Sequence, residues 1–550
     1  MIHHVEVQVL VLLAIAALVG MVARRLRLPY TLALVVAGLL LGFVQLEVLH
    51  GLELSPDLLL LLLLPPLLFE AALHLRINNL RRDIWPVLLL AGPGVLLSTG
   101  ICAVILYLGA GRSGLAADFG WSQALIFGSV LAATDPISVL ALFRELGVPS
   151  RLYQLVEGES LLNDGVAVVV FVIIVKVFAI GGGEPLVGAA ITSEALRTFL
   201  WMVGAGVCTG LAVGAAASVL TRQVDDHLIE IVLTLVVAYS SFLVAETFHA
   251  SGVLATVSAG ITVGSFGSSY GMSVTTRVAV EDFWEVMAFL ANSFVFLLVG
   301  LELEPGLMVT YGALLAVAFV GMIAARAATV YGLLPLLNRW AQPIPKGWSH
   351  VLVWGGLRGS LSMVLILTLP PGFTGRSLLV ALVFGVVGLS LFVQGLTVGP
   401  LMARLGLGGE DLVEQRAYEL ERGRALAATE ALHQLEALEH DVLAEELVRE
   451  RIGAWYGRKR DAAVTEARAH AGETARDELT LETLGRLMDA ERHALREAVR
   501  AGTIAAAVGA QLLRDIDLRA QEFATLKHSP EKDRRAALRK FLGETEPHDA

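Results

Sequence analysis

The chain has 550 residues, 55% of them hydrophobic and 17% charged, and its formal net charge is −11. Soluble globular domains carry about 25% charged residues, so this balance excludes a wholly soluble protein and points to the membrane class. The acidic sum leaves no basic excess for nucleic acid, and two cysteines, Cys102 and Cys208, are too few for a disulfide framework.

Charge is unevenly distributed. Residues 1–409 hold 42 charged side chains, and the last 141 residues hold 51. A boundary is therefore expected near Gly408-Gly409, with a transmembrane domain over 1–408 and a soluble helical domain over 409–550. The N-terminus has no basic n-region and no small-residue cleavage site, so it is read as a retained first span.

A spanning helix needs about 20 mostly apolar residues. Thirteen stretches qualify: about 6–23, 30–46, 57–74, 86–109, 121–143, 152–180, 196–220, 228–248, 252–268, 283–301, 307–335, 347–369 and 377–403. Alternate loops on one side carry Arg24, Arg25, Arg27, Arg76, Arg81, Arg82, Arg144, Arg151, Arg222, Arg277, Arg339, Lys346 and Arg404. Loops on the other side carry only Arg112, Arg197 and Arg376. The positive-inside rule then sets the N-terminus outside and the C-terminus in the cytoplasm.

Within this apolar frame, Phe127 to Val170 holds Asp135, Glu157, Glu159 and Asp164 at depths where a bilayer excludes charge. Each such group costs roughly 2.5–3.5 kcal/mol on insertion scales, so a functional reading is the default. Pro136 follows Asp135 in the fifth span, and a proline removes a helix hydrogen bond and clashes with the preceding turn, so a break is predicted there. The twelfth span has a matching defect, Trp354-Gly355-Gly356-Leu357-Arg358-Gly359-Ser360, with an arginine at mid-depth. Paired interrupted spans point to the binding site of a secondary transporter. Opposite starting sides for spans 1–6 and 8–13 are compatible with an inverted repeat that pairs span 5 with span 12. Hydroxyl, amide and carboxylate oxygens suit a small hard cation. The residues thus predict a membrane ion carrier whose working carboxylate is Asp164.

Other charges in the spans have plainer readings. Lys176 snorkels from the outer end of span 6, and Arg326 in span 11 either pairs with an acid or meets lipid headgroups. Trp284, Trp348 and Trp354 fit interface anchoring or packing. After residue 409, Leu432, Leu435, Leu438 and Val442 recur at helical spacing. Two basic clusters, Arg458-Lys459-Arg460 and Lys532 with Arg534 and Arg535, read as solvated surface. The tail has no phosphate-binding glycine loop, no metal-ligand cluster and no nucleophile–base pair, so an enzyme is not expected.

The motifs resemble those of the cation:proton antiporter superfamily, specifically the NhaP-type sodium/proton antiporters and the animal and plant sodium/proton exchangers. The matching pieces are Phe69-Glu70-Ala71, Ala133-Thr134-Asp135-Pro136 and the run Glu157-Gly158-Glu159-Ser160-Leu161-Leu162-Asn163-Asp164-Gly165. Ala245-Glu246, Ser251-Gly252-Val253-Leu254-Ala255 and Gly356-Leu357-Arg358-Gly359 complete the set, and the likeness spans roughly residues 10–405. The resemblance implies an all-α polytopic membrane protein of about thirteen helices, with two interrupted crossing helices, a mobile core, a dimerisation domain and hence a homodimer. The resemblance does not extend to residues 409–550, which read by themselves as a helical cytoplasmic dimerisation or regulatory domain.

Carried onto this chain, the resemblance makes Asp164 the cation- and proton-binding carboxylate. Glu70, Ser160 and the Thr134 main chain would be further Na⁺ ligands, Asn163 would brace the same group, and Glu159 and Arg358 would form a buried ion pair. Asp135 would compensate helix dipoles or ligate the cation. Asn163 stands where the electrogenic branch has a second acid, which implies electroneutral one-for-one exchange. The expected function is exchange of Na⁺, and of Li⁺, for H⁺ across an inner membrane, with no cofactor. K⁺/H⁺ exchange by the same mechanism is the alternative, and a cation channel is a more distant one.

Overall fold

The computed structural model describes residues 2–26, 29–44, 59–75, 77, 81, 83–113, 119–180, 189–221, 223, 226–267, 272–303, 305–340, 343–370, 372–407, 410–437, 446–470, 473–500, 503–504, 506–527, 537–538 and 541–542. Arg27, Arg76, Arg82, Arg222, the Gly408-Gly409 pair, Leu438, Val442, Lys532, Arg534 and Arg535 lie outside the described residues. Two compact units divide the chain, Met1–Leu407 and Gly408–Ala550. The described residues of both contain helices and turns and no β-strand.

Chain order in the first unit is α1 (Ile2–Leu26), α2 (Tyr30–Val44), α3 (Leu64–His74), α4 (Ile84–Ala91), α5 (Pro93–Ser113), α6 (Trp121–Val130), α7 (Ile137–Leu146), α8 (Ser150–Ile180) and α9 (Ala189–Thr221). There follow α10 (His227–Thr247), α11 (Gly252–Thr262), α12 (Val274–Glu302), α13 (Pro305–Thr310), α14 (Gly312–Trp340), α15 (Lys346–Trp354), α16 (Ser360–Leu367), α17 (Arg376–Leu389) and α18 (Gly395–Arg404). Among the described residues seven stretches are long and apolar enough to cross a membrane: Ile84–Ala110, Ser150–Phe178, Ser193–Thr221, His227–Thr247, Thr275–Leu301, Gly312–Arg339 and Arg376–Arg404. Tyr30–Phe43, Leu61–His74 and Gly252–Gly267 are shorter apolar helices.

The predicted spans 121–143 and 347–369 are each split into two half-helices, as Pro136 and the Gly355–Gly359 run require. The span expected over 86–109 is also two pieces, α4 and α5, meeting at Gly92-Pro93 with Pro93 as the first residue of α5. Among the described residues three π-turns interrupt the regular ladder, at Leu59–Leu63, Val263–Gly267 and Ser390–Gln394. The last of these bears on the site below.

Lipid tails give helices little hydrophobic reason to associate, so small residues that admit close backbone approach do that work. Gly206, Gly210 and Gly214 form such a stripe on α9 and face α11 through Ser251, Ala255 and Ala259. Trp284, read from the sequence as an anchor or a packing residue, is fully buried. Its ring centroid lies 4.6 Å from that of Phe69 and its Nε1 donates to Thr234 Oγ1 at 3.0 Å. Arg151 donates a fork to Asp83, with Nη2–Oδ1 at 2.7 Å, and lies over the Trp348 ring at 5.6 Å.

The second unit contains α19 (Glu410–Ala437) packed on α20 (Glu446–His470), and α21 (Glu473–Arg500) packed on α22 (Ala506–Lys527). Leu481 and Leu538 centre a small apolar cluster with Leu484, Phe523 and Phe541. Lys459 of the described basic cluster stacks over Trp455 at 5.1 Å, and Arg460 pairs with Asp461.

A Cβ at Gly210 would overlap the Ala255 carbonyl oxygen, and backbone cannot retreat cheaply. Gly210→Val is therefore expected to cost about 1–3 kcal/mol, read as a lower melting temperature in detergent. Gly204→Val on the same helix, with nothing within 4 Å of its Cβ, should leave the melting temperature near wild type.

Candidate functional site

The site begins with a backbone problem. Ending α6 and α15 inside the unit frees carbonyls and amides that no water of a bilayer core could satisfy. The two breaks meet, and the Asp135 N–H donates to the Leu357 carbonyl at 2.8 Å. Arg358 donates through Nη1 to the carbonyls of Ala132 and Ala133, at 3.3 and 3.0 Å. Ser362 Oγ donates to the Val130 carbonyl at 2.8 Å, and Gln394 Nε2 donates to that of Trp354 at 3.1 Å. The Arg358 N–H is taken by Ser390 Oγ at 3.1 Å, from the π-turn of α17–α18, and Ser390 in turn donates to Gln394. Guanidinium charge at the carbonyl end of α6 also answers its dipole.

Asp135 serves the opposite kind of end. Its Oδ1 accepts the Ile137 N–H at 3.0 Å at the start of α7. Its side chain also fills the space in which a Cβ on Gly359 would lie, so glycine alone permits the crossing at that point.

One expected contact is corrected. Glu159 is not paired with Arg358; it holds Arg326 of α14 in a fork, Nη1–Oε1 and Nη2–Oε2 both at 2.8 Å. The physical reason is that the Arg358 hydrogen bonds go to the orphaned carbonyls after α6, whereas Arg326 offers Glu159 two parallel donors, the strong geometry for a carboxylate. Arg326 keeps its Nε for the Leu352 carbonyl at 3.2 Å, in the last turn of α15. Both arginines are buried. Of the two sequence readings for Arg326, the acid partner is the one realised.

Helix α8 then carries two functional faces. Glu159 and Asn163, one turn apart, point to the crossing. Asn163 accepts the Thr134 N–H at 3.3 Å and donates to Thr134 Oγ1 at 2.7 Å and Glu159 at 3.2 Å. These bonds make Asn163 a brace rather than a free ligand. Tyr153, Glu157, Ser160 and Asp164 follow the i, i+4, i+7, i+11 spacing of another face. Ser160 sits between the two, donating to the Thr134 carbonyl and accepting from Thr134 Oγ1 at 3.3 Å.

Glu157, Ser160 and Asp164 of that face line a cavity of about 380 Å³. Glu70 from α3, Thr134 and Asp135 from the break, and Ser160 and Asp164 from α8 all border it, so five of the expected site residues share one space. Asp164 Oδ1 is buried with no hydrogen-bond partner among the described residues. Asn292 Oδ1 of α12, on the same cavity, is in the same condition. Beside Glu70 lies His74, its Nδ1 3.0 Å from the Glu70 carbonyl oxygen and 3.4 Å from Oε1.

Sequence reasoning missed part of this lining. The sequence marks Glu157 as an acid at depth without assigning it a role, although its seven-residue spacing from Asp164 carries the signal. Glu285, Asn292 and Arg144 also border the cavity. They reach it only through tertiary packing, and no local pattern announces them.

A family model described as sodium/hydrogen exchanger, transmembrane, matches residues 11–404. The chain belongs to the sodium/hydrogen exchanger family. The protein named Na⁺/H⁺ antiporter ApNhaP of Aphanothece halophytica is 42% identical over 414 residues, covering 75% of this chain and 76% of that protein. Na⁺/H⁺ antiporter NhaG of Bacillus atrophaeus is 37% identical over 455 residues, 81% of this chain and 83% of that one. The solved structure of the sodium proton antiporter MjNhaP1 from Methanocaldococcus jannaschii at pH 8 matches with a TM-score of 0.59 and 19% identity, covering 74% of this chain and 99% of that chain. At that identity the likeness is one of fold. This exchanger is thus a multi-pass, all-helical membrane protein of a transporter family.

Breaking a buried ion pair from one side leaves an uncompensated charge and costs about 3–5 kcal/mol. Arg326→Met in this exchanger is therefore expected to lower thermal stability in detergent sharply. The double variant Glu159→Gln, Arg326→Met should recover a large part of that loss; a double variant no more stable than Arg326→Met would show that the pair is not what holds α8 to α14.

Proposed function

We propose that the chain exchanges Na⁺ for H⁺ across a bacterial-type inner membrane, one for one, by alternating access at Asp164. The observation that carries this reading is the buried, unpartnered Asp164 Oδ1 in a cavity bordered by carboxylate and hydroxyl oxygens. The relatives named Na⁺/H⁺ antiporters, 37–42% identical to this chain, support it.

In this reading Asp164, when ionised, ligates the cation, with Glu70, Ser160 and Thr134 as further oxygens. When protonated it is neutral and can pass an apolar wall. The empty, charged form is the costly one at that depth, which suppresses leak. One pH unit is worth about 1.4 kcal/mol per proton, the same as a tenfold cation gradient, so a single carboxylate couples the two on ordinary gradients. Asn163 supplies an amide where a second acid would add a proton, which favours the electroneutral cycle. Li⁺ would be carried by the same oxygens. A K⁺/H⁺ exchanger would use the same chemistry. The thirteen-span count, the outside N-terminus, the homodimer and the regulatory or dimerising role of 409–550 belong to the same proposal.

In everted vesicles carrying the wild type, added Na⁺ should collapse a preformed pH gradient, and Asp164→Asn should abolish the response. Retained exchange in Asp164→Asn would remove the central residue; a response to K⁺ alone would keep the mechanism and change the substrate. Deleting residues 410–550 should shift apparent affinity or pH dependence while exchange stays measurable, and its complete loss from a folded, inserted protein would contradict a regulatory tail.

A further inference from the structure

We infer that Arg144 is a resident counter-cation of the transport cavity, held away from the substrate acids by Tyr153, and that its position sets how tightly the exchanger binds its cation. The inference rests on the proposed cation site at Asp164 and adds a residue that competes with the cation for the field of that site.

Arg144 lies in the last turn of α7, before Gly147, whose φ of 68° closes the helix. It borders the same cavity as Glu70, Glu157, Asp164 and Glu285, the one arginine among the described residues of that lining. Its Nε and Nη2 donate to the Tyr153 hydroxyl at 3.1 and 2.9 Å, and its guanidinium carbon lies 5.7 Å from the centre of the Tyr153 ring. Tyr153 is one turn before Glu157 on α8, just beyond the residues that line the cavity.

A guanidinium is charged at every working pH and offers five donors in a planar fork that fits carboxylates better than a phenol. A neutral phenol nevertheless holds two of those donors here. The arrangement has two consequences of opposite sign. With Tyr153 holding it, Arg144 lowers the negative potential of the cavity from a distance and weakens cation binding moderately. Released from Tyr153, the same charge is free to meet Glu157 or Glu70 directly and to exclude the cation more strongly. Structural damage would not give opposite shifts from the two side chains of one contact.

The test uses the full-length protein, purified in detergent and titrated with NaCl, LiCl and KCl against thermal stability, with proton movement followed separately in proteoliposomes. Arg144→Gln should lower the apparent Kd for the stabilising cation about three- to fivefold, the scale of a partly exposed ion-pair interaction. Tyr153→Phe should raise it by a similar factor, and the double variant should follow Arg144→Gln. Shifts of the same sign in Arg144→Gln and Tyr153→Phe, or no shift in either, overturn the inference. If only one single variant folds, its own direction decides. Opposed shifts in cation binding without coupled proton movement would uphold Arg144 and reject exchange; absence of cation binding in the wild type would reject both.

Discussion

The structure depends on satisfying interrupted backbone where a bilayer offers no water. Two half-helix ends face each other in the middle of the fold, and their carbonyls are distributed among Arg358, Arg326, Ser362, Gln394 and Ser160. Each donor comes from a different point on the chain, so the crossing draws α8, α14, α16 and the π-turn of α17–α18 into one hydrogen-bonded body. An unsatisfied amide or carbonyl at that depth costs several kcal/mol, which is why so many polar side chains converge on a few residues of irregular backbone.

The substrate chemistry is built on the back of that solution. Helix α8 spends Glu159 and Asn163 on the crossing and turns Glu157, Ser160 and Asp164 toward the cavity. Less than one helical turn separates the two duties, so the brace fixes the carboxylate without touching it. Thr134 joins them, since its amide, carbonyl and hydroxyl are all held by α8 while it also borders the cavity. A shift of the break would be felt at Asp164 directly.

Much of this was legible in the sequence, for physical reasons that can be named. Apolar runs of membrane length, a proline beside an acid and a glycine run around an arginine each act locally, so the long spans and both breaks could be read from the chain. Glu70, Thr134, Asp135, Ser160 and Asp164 fell in recognisable motifs and meet in one cavity. The Glu159–Arg326 pair was not legible, because the two residues are 167 positions apart and either arginine could have answered the acid. What the sequence did hold was a deeply placed Arg326 in need of some partner. Asn292, Glu285 and Arg144 lie on helices whose rotation about their own axes is decided only by packing.

Gly359 and Asp135 carry one more implication, for how this protein can change over generations. Any side chain at 359 would overlap the acid at 135, and that acid supplies the cap for α7. The two positions therefore cannot drift independently. The overlap includes the Asp135 Cβ itself, so a descendant that keeps any side chain at 135 must keep the glycine at 359, and only one that places glycine at 135 gains room there and must find another cap for the half-helix. Substitutions at these sites should arrive as a pair, or as a sequence in which position 135 changes first.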